Sequence, residues 1–169
     1  MSAYESIRTQ IGDKLRGIVG IGRVFEQPKH STDWATFLSR YTITHPDDAA
    51  TKLVSVAWFT RLSASELDTG IGGRDEAEVL TAVEIDETWG IVLVLGFHDD
   101  ETYPSEYLFQ KLVDDVREKF RWLDQLGIAS TVHRSYPVQT LSSSVTMFGD
   151  MLCHRAEMTI RIVLRDDTP

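Results

Sequence analysis

Residues 152–165 constrain the fold more than any other stretch of this chain. Leu152, His154, Ala156, Met158, Ile160, Ile162 and Leu164 alternate with Cys153, Arg155, Glu157, Thr159, Arg161, Val163 and Arg165. Successive side chains of a strand point to opposite faces, so a period of two with one apolar row predicts a strand that buries one face. At about 3.3 Å per residue it spans on the order of 45 Å, far beyond the usual five or six residues. Such a strand needs a broad sheet beside it, and part of it is expected to reach past the domain's own core.

Three segments carry the other periodicity. Tyr4, Ile7, Ile11, Leu15 and Ile18 recur at steps of three and four, with Arg8, Gln10, Asp13, Lys14 and Arg16 mostly opposite, and predict an amphipathic helix that stops at Gly17. The glycines at 17, 20 and 22 resemble a phosphate loop only in composition. No strand precedes them and no Lys-Ser/Thr follows, so they read as a helix stop and a turn into a short strand at 23–26. Trp34, Phe37, Leu38 and Tyr41 predict a short helix capped by Thr32 or Asp33, and 45–48 form a turn. The best helix opens at Ser105 after Pro104. It carries Leu108, Phe109, Leu112, Val113, Val116, Phe120 and Leu123 on one stripe, and Gly127 supplies its stop.

Strand-rich runs at 52–60 and 79–85 are expected to pair as an antiparallel hairpin. Residues 61–78 between them hold several acidic side chains, glycines at 70, 72 and 73, and almost no large apolar residue. Loops of this length are uncommon unless they have a function or are disordered, so the segment reads as a mobile contact arm. Residues 89–97 are apolar or small on both faces and require cover on both sides, by helices on one and a partner subunit on the other. Residues 132–145 are again strand-like, with Pro137 and Ser142-Ser143-Ser144 giving edge or irregular character. The fold class is therefore α+β. An antiparallel-rich mixed sheet carries an N-terminal helix and one long amphipathic helix packed on a face, with a long hairpin arm.

Composition excludes several functions. Against 17 Lys+Arg stand 26 Asp+Glu, a net charge of −9 in 169 residues, whereas a duplex reader needs a cationic surplus. With 42% hydrophobic and 25% charged residues the composition is that of a folded domain, and the length suits a single one spanning 1–169. The single Cys153 closes no internal disulfide and suits a reducing cytoplasm. The first residues lack a signal peptide's basic and apolar regions, and no run approaches the ~18 apolar residues of a membrane span.

No catalytic or metal constellation emerges, and no cofactor is expected. The run His98-Asp99-Asp100-Glu101 offers hard oxygens but lacks the spacing of a calcium loop, and reads as a solvated turn before a helix. Cys153 and His154 are adjacent on a strand and point apart, so they cannot form a nucleophilic pair. His154 reads as a hydrogen-bonded core or rim histidine, Ser142 to Ser144 as a turn, and His30, His45 and His133 have no metal spacing. Trp34, Trp58 and Trp89 fall in apolar patterns and read as core. Trp122 stands one residue off the helical stripe, which makes it a candidate surface anchor.

The order of elements and several strings resemble a known family. These are Gly20-Ile21-Gly22-Arg23-Val24-Phe25, Asp33-Trp34-Ala35 before Phe37-Leu38, Thr88-Trp89-Gly90-Ile91, Pro104-Ser105-Glu106 before Phe109-Gln110-Lys111-Leu112-Val113-Asp114, and Met151-Leu152-Cys153-His154-Arg155-Ala156-Glu157. The chain is similar in these to the small tail proteins of long-tailed, prophage-type bacteriophages, and in architecture to their tail terminators. That resemblance implies a non-enzymatic virion protein whose hexameric ring caps the tail tube, ends its polymerisation and meets the head-tail connector. The implied partners are further copies of the chain, the tube protein and the connector protein, with DNA passing through unread and no membrane involved. The expected subunit or tube interface comprises Arg61, Glu66, Asp68, Arg74, Asp75 and Glu76 of the arm, Trp122, and Arg155 and Arg161 on the last strand. Six copies at −9 each give −54, and an anionic channel would pass DNA without holding it. The alternatives are another neck or tail-completion protein, or a small α+β binding module or enzyme with a pocket near His98 to Glu101 and His154.

Overall fold

The computed structural model describes residues 2–29, 33–44, 52–68, 83–98, 104–121, 125–128 and 132–166. Within them lie helices α1 (Ala3–Arg16), α2 (Trp34–Tyr41) and α3 (Ser105–Lys119), and strands β1 (Arg23–Phe25), β2 (Thr42–Thr44), β3 (Lys52–Asp68), β4 (Val83–Gly96), β5 (Val132–Ser135), β6 (Gln139–Phe148) and β7 (Met151–Asp166). The fold is α+β, with a seven-stranded sheet in the order β1-β3-β4-β7-β5. Strand β2 joins β3 and β6 joins β7; all pairs are antiparallel except β1 with β3.

The long last strand is present and lies inside the sheet. It pairs with β4 from Cys153 to Asp166 and with β6 and β5 on its other side. Its apolar row packs against α1 and α3 in a core that includes Ile7, Ile11, Leu15, Phe109, Val113, Val116, Ala156, Met158, Ile160 and Ile162. Each of the larger side chains contributes about 1.5–3 kcal/mol by leaving water, so this face dominates stability.

Helix starts follow their local chemistry. Ser2 and Glu5 cap α1 reciprocally: the Glu5 N–H donates to Ser2 Oγ at 3.2 Å and the Ser2 N–H to Glu5 Oε2 at 2.9 Å. Asp33 caps α2, accepting from the Thr36 N–H at 2.8 Å.

Several expectations are corrected. The predicted hairpin of 52–60 with 79–85 is replaced by a longer register in which Ser55 faces Leu95 and Asp68 faces Val83. Strands expected at 79–85 and 89–97 are one strand from Val83 onward, continuous because the polar link Asp86-Glu87-Thr88 finds partners on both neighbours. The start of the expected arm, 61–68, is ordinary β3, with a bulge between Arg61 and Ser63; the rest of the arm lies outside the described residues. Helix α3 ends at Lys119, before the expected Leu123. Phe120 and Leu126 are both buried, residues 122–124 lie outside the described residues, and Gly127 at φ +77° closes a short 3-10 turn.

The second face of β4 needs no partner subunit. Val92 and Val94 are covered by α2 and an aromatic cluster of Phe25, Phe37, Tyr41, Trp58 and Phe148. Trp34 is not core as expected; it is 47% exposed and stacks on Phe37 from outside, with ring centroids 5.1 Å apart. The Ser142–Ser144 run belongs to β6 rather than to a turn.

Candidate functional site

The charged residues expected at an interface fall on two faces of the sheet. Arg61 faces the α1 side, where its guanidinium donates to Glu87 Oε1 at 2.9 Å and lies 4.7 Å from the centroid of the Tyr4 ring. Glu87 is 3% exposed and accepts a second bond from Trp89 Nε1 at 2.8 Å. Arg61 is thus the counter-charge of a buried carboxylate. Glu66 is exposed further along β3, and Asp68 ends that strand. Arg155 and Arg161 lie on the opposite face. Arg155 pairs with Glu157 at 2.6 Å, and Arg161 grips Asp86 across the β7–β4 pair at 2.7 and 2.9 Å while its guanidinium covers Tyr136. Arg74, Asp75, Glu76 and Trp122 lie outside the described residues, as do His30, His45 and Asp99 to Glu101.

A second node stands where α3 meets the sheet; of its residues the sequence marks only His154 as a candidate site residue, while Ser105 and Glu106 read only as a helix start and part of a family string. His154 is 2% exposed and stacked between Phe97 and Phe109, at centroid distances of 5.1 and 5.3 Å. Its Nε2 lies 3.0 Å from Ser105 Oγ and its Nδ1 3.0 Å from Glu106 Oε2. Burial holds its pKa below the usual histidine value, an effect that nearby His98 reinforces and Glu106 opposes. A neutral ring satisfies both contacts: Nδ1–H donates to the carboxylate, and Ser105 Oγ–H donates to Nε2.

That connectivity, hydroxyl to imidazole to carboxylate, matches a nucleophilic triad, but accessibility decides its role. Ser105 is 1% exposed and sits in the first turn of α3, sealed beside the Phe97–His154–Phe109 stack. A hydroxyl so enclosed meets no substrate in this conformation. The node therefore ties the start of α3 to β7, satisfying polar groups that would be costly if left unpaired. Cys153 points to the other face, and burial raises its thiol pKa to about 11, which makes it a weak nucleophile. Among the described residues no three His, Cys, Asp or Glu side chains gather as a metal site would require.

Surface grooves of about 400 and 480 Å³ lie among the described residues. The first lies between Tyr4, Arg8, Arg16 and Glu26, where the two arginines already face Glu26; the second lies between the end of α3 and Pro137. Neither has the enclosed apolar wall and convergent polar groups of a small-molecule site.

The sheet offers more. Strands β2 and β1 cover the outer side of β3 only up to Trp58, so among the described residues its outer edge is open from Phe59 to Asp68. On the far side β6 pairs inward with β7, and its outer edge is likewise open among the described residues. The segment 139–148 was legible as an edge but not as a free one, because freedom depends on which strands fail to arrive. No protein-family model and no curated protein matches the sequence.

Proposed function

We propose that this chain is a structural subunit of a phage virion, which joins further copies in a ring, hexameric by its resemblance, to cap the tail tube and end its growth. The ring would then present its other side to the head-tail connector and leave a channel for DNA. One observation carries the reading: the β3–β4 hairpin keeps strand pairing out to Asp68 and Val83 while, among the described residues, the outer edge of β3 runs open for ten residues. Open strand edges are templates for pairing with another chain, and natural folds usually cover them. A ring subunit needs different surfaces for its two neighbours, a head-to-tail arrangement that closes by rotation. The family strings noted above and the acidity of a chain that would surround DNA without binding it support the same reading.

The test is electron microscopy of tails assembled without the protein. Overlong tubes support termination. Tails of normal length that fail to join heads move the protein to a connector or completion position, and normal, infectious virions refute a role in the virion.

A further inference from the structure

We propose that copies of this chain join by β-sheet extension, the open edge of β6 in one copy pairing with the open edge of β3 in the next. The inference deepens the ring reading by naming the two strands that meet, and its head-to-tail form rests on that reading.

Strand β6 is unusual in three respects. No residue of it is buried, although it is hydrogen-bonded to β7 along nearly its whole length. It exposes large apolar side chains: Val145 and Met147, 50% and 58% exposed, share a sheet face with Leu152 and Phe97, and Leu141 at the bulge is 63% exposed. It is also the longest described element with no charged residue, in a chain of net charge −9. Natural edge strands are protected by Lys, Pro or inward charges; β6 has a bulge near Leu141 and none of the others.

Two features favour a second copy as the occupant. First, copies at −9 each repel one another, and the repulsion is least where a neutral strand forms the contact; β6 is neutral, and residues 59–68 of β3 carry one cation, Arg61, against two anions, Glu66 and Asp68, a net charge of only −1. Second, the open stretch of β3 matches β6 in length, ten residues against ten, so joining one to the other covers both edges of every copy. A two-fold contact of β6 with β6 would leave β3 open and stop at a dimer.

The experiment uses two variants of the whole chain with substitutions at exposed positions, checked for unchanged circular dichroism and melting. Val145→Lys with Met147→Lys blocks the β6 edge; Ser63→Lys with Ala64→Lys blocks the β3 edge. Sedimentation and native mass spectrometry from about 1 to 100 µM, a span of roughly 3 kcal/mol in binding free energy, read the assembly state. The unsubstituted chain should form assemblies larger than a dimer. Each variant alone should associate at least tenfold more weakly, and an equimolar mixture should form a one-to-one heterodimer through the single intact pair of edges. Self-dimerisation of the β3-blocked variant alone shows a β6–β6 contact and overturns the proposal. So does a monomeric unsubstituted chain, or assembly that both variants leave unchanged. In the last case the ring reading survives with another interface, and the tail-length experiment decides it separately.

Discussion

Replacing Arg61 by Ala tests whether this residue serves the fold or a partner. Its side chain is 41% exposed, whereas that of Glu87, whose carboxylate it meets at 2.9 Å, is 4% exposed. Breaking a fully buried pair costs about 3–5 kcal/mol because the remaining charge is stranded. Water reaches the arginine here and Trp89 Nε1 still donates to Glu87, so the loss falls nearer the about 1.5–3 kcal/mol of a hydrogen bond to a charged group. The lost contact with the Tyr4 ring adds about 0.5–1 kcal/mol. A total of about 2–4 kcal/mol follows, which for a domain of this size lowers Tm by about 4–16 °C. Urea and thermal denaturation of Arg61→Ala, Glu87→Gln and the double variant measure it. In the Glu87→Gln background no charge is left to strand, so removing Arg61 should cost at least about 1 kcal/mol less than in the original chain. A loss under about 0.5 kcal/mol for Arg61→Ala, or strictly additive losses, refutes the internal role and returns Arg61 to the surface.

Three further outcomes are expected. His154 is held neutral with a depressed pKa, so the unfolded chain takes up its proton first as pH falls. Stability should therefore be fully present above about pH 6.5 and decline as pH falls from there towards the folded pKa, and His154→Gln should flatten that decline in urea titrations across pH. A Cβ at Gly22 would meet Ile43 Cγ2 at 2.5 Å and the Ser55 carbonyl at 2.6 Å, so Gly22→Ala should cost about 1–3 kcal/mol in denaturation; a neutral result refutes this packing of the β1 approach against β3. Cys153 should resist iodoacetamide at pH 8 in the folded state and react once urea unfolds the chain, and a fluorophosphonate probe should leave Ser105 unlabelled; rapid native labelling of either contradicts their burial.

Local physics was legible in the sequence, and distant partners were not. The alternation at 152–165 implied β7 because its period survives whatever surrounds it, and Asp33 and Gly17 marked helix ends through bonds to near neighbours. Strand β2 and the register of β3 escaped because Thr42–Thr44 is too short to show a period, and the residues that compete for β3 lie far apart in the chain. Glu87 looked like a break between strands. Its burial depends on Arg61, a residue the sequence assigned to an arm. The Ser105–His154–Glu106 node was invisible for the same reason: 49 residues separate its serine from its histidine, and no spacing rule spans that gap.

The position of β7 in the chain also sets an order of events. Strand β4, in the middle of the sheet, has its neighbour β3 available early, while its other neighbour is the last described element to be made. On a ribosome, which releases the N-terminal part first, the β3–β4 hairpin waits with one long side and the row Trp89, Ile91, Leu93 and Leu95 incompletely covered until residues 151–166 emerge. Pairings between distant segments also slow folding, since loop closure precedes the contacts that reward it. The nascent chain is therefore most vulnerable to misassociation and proteolysis just before β7 arrives, and chaperone binding during synthesis should persist until that strand is released.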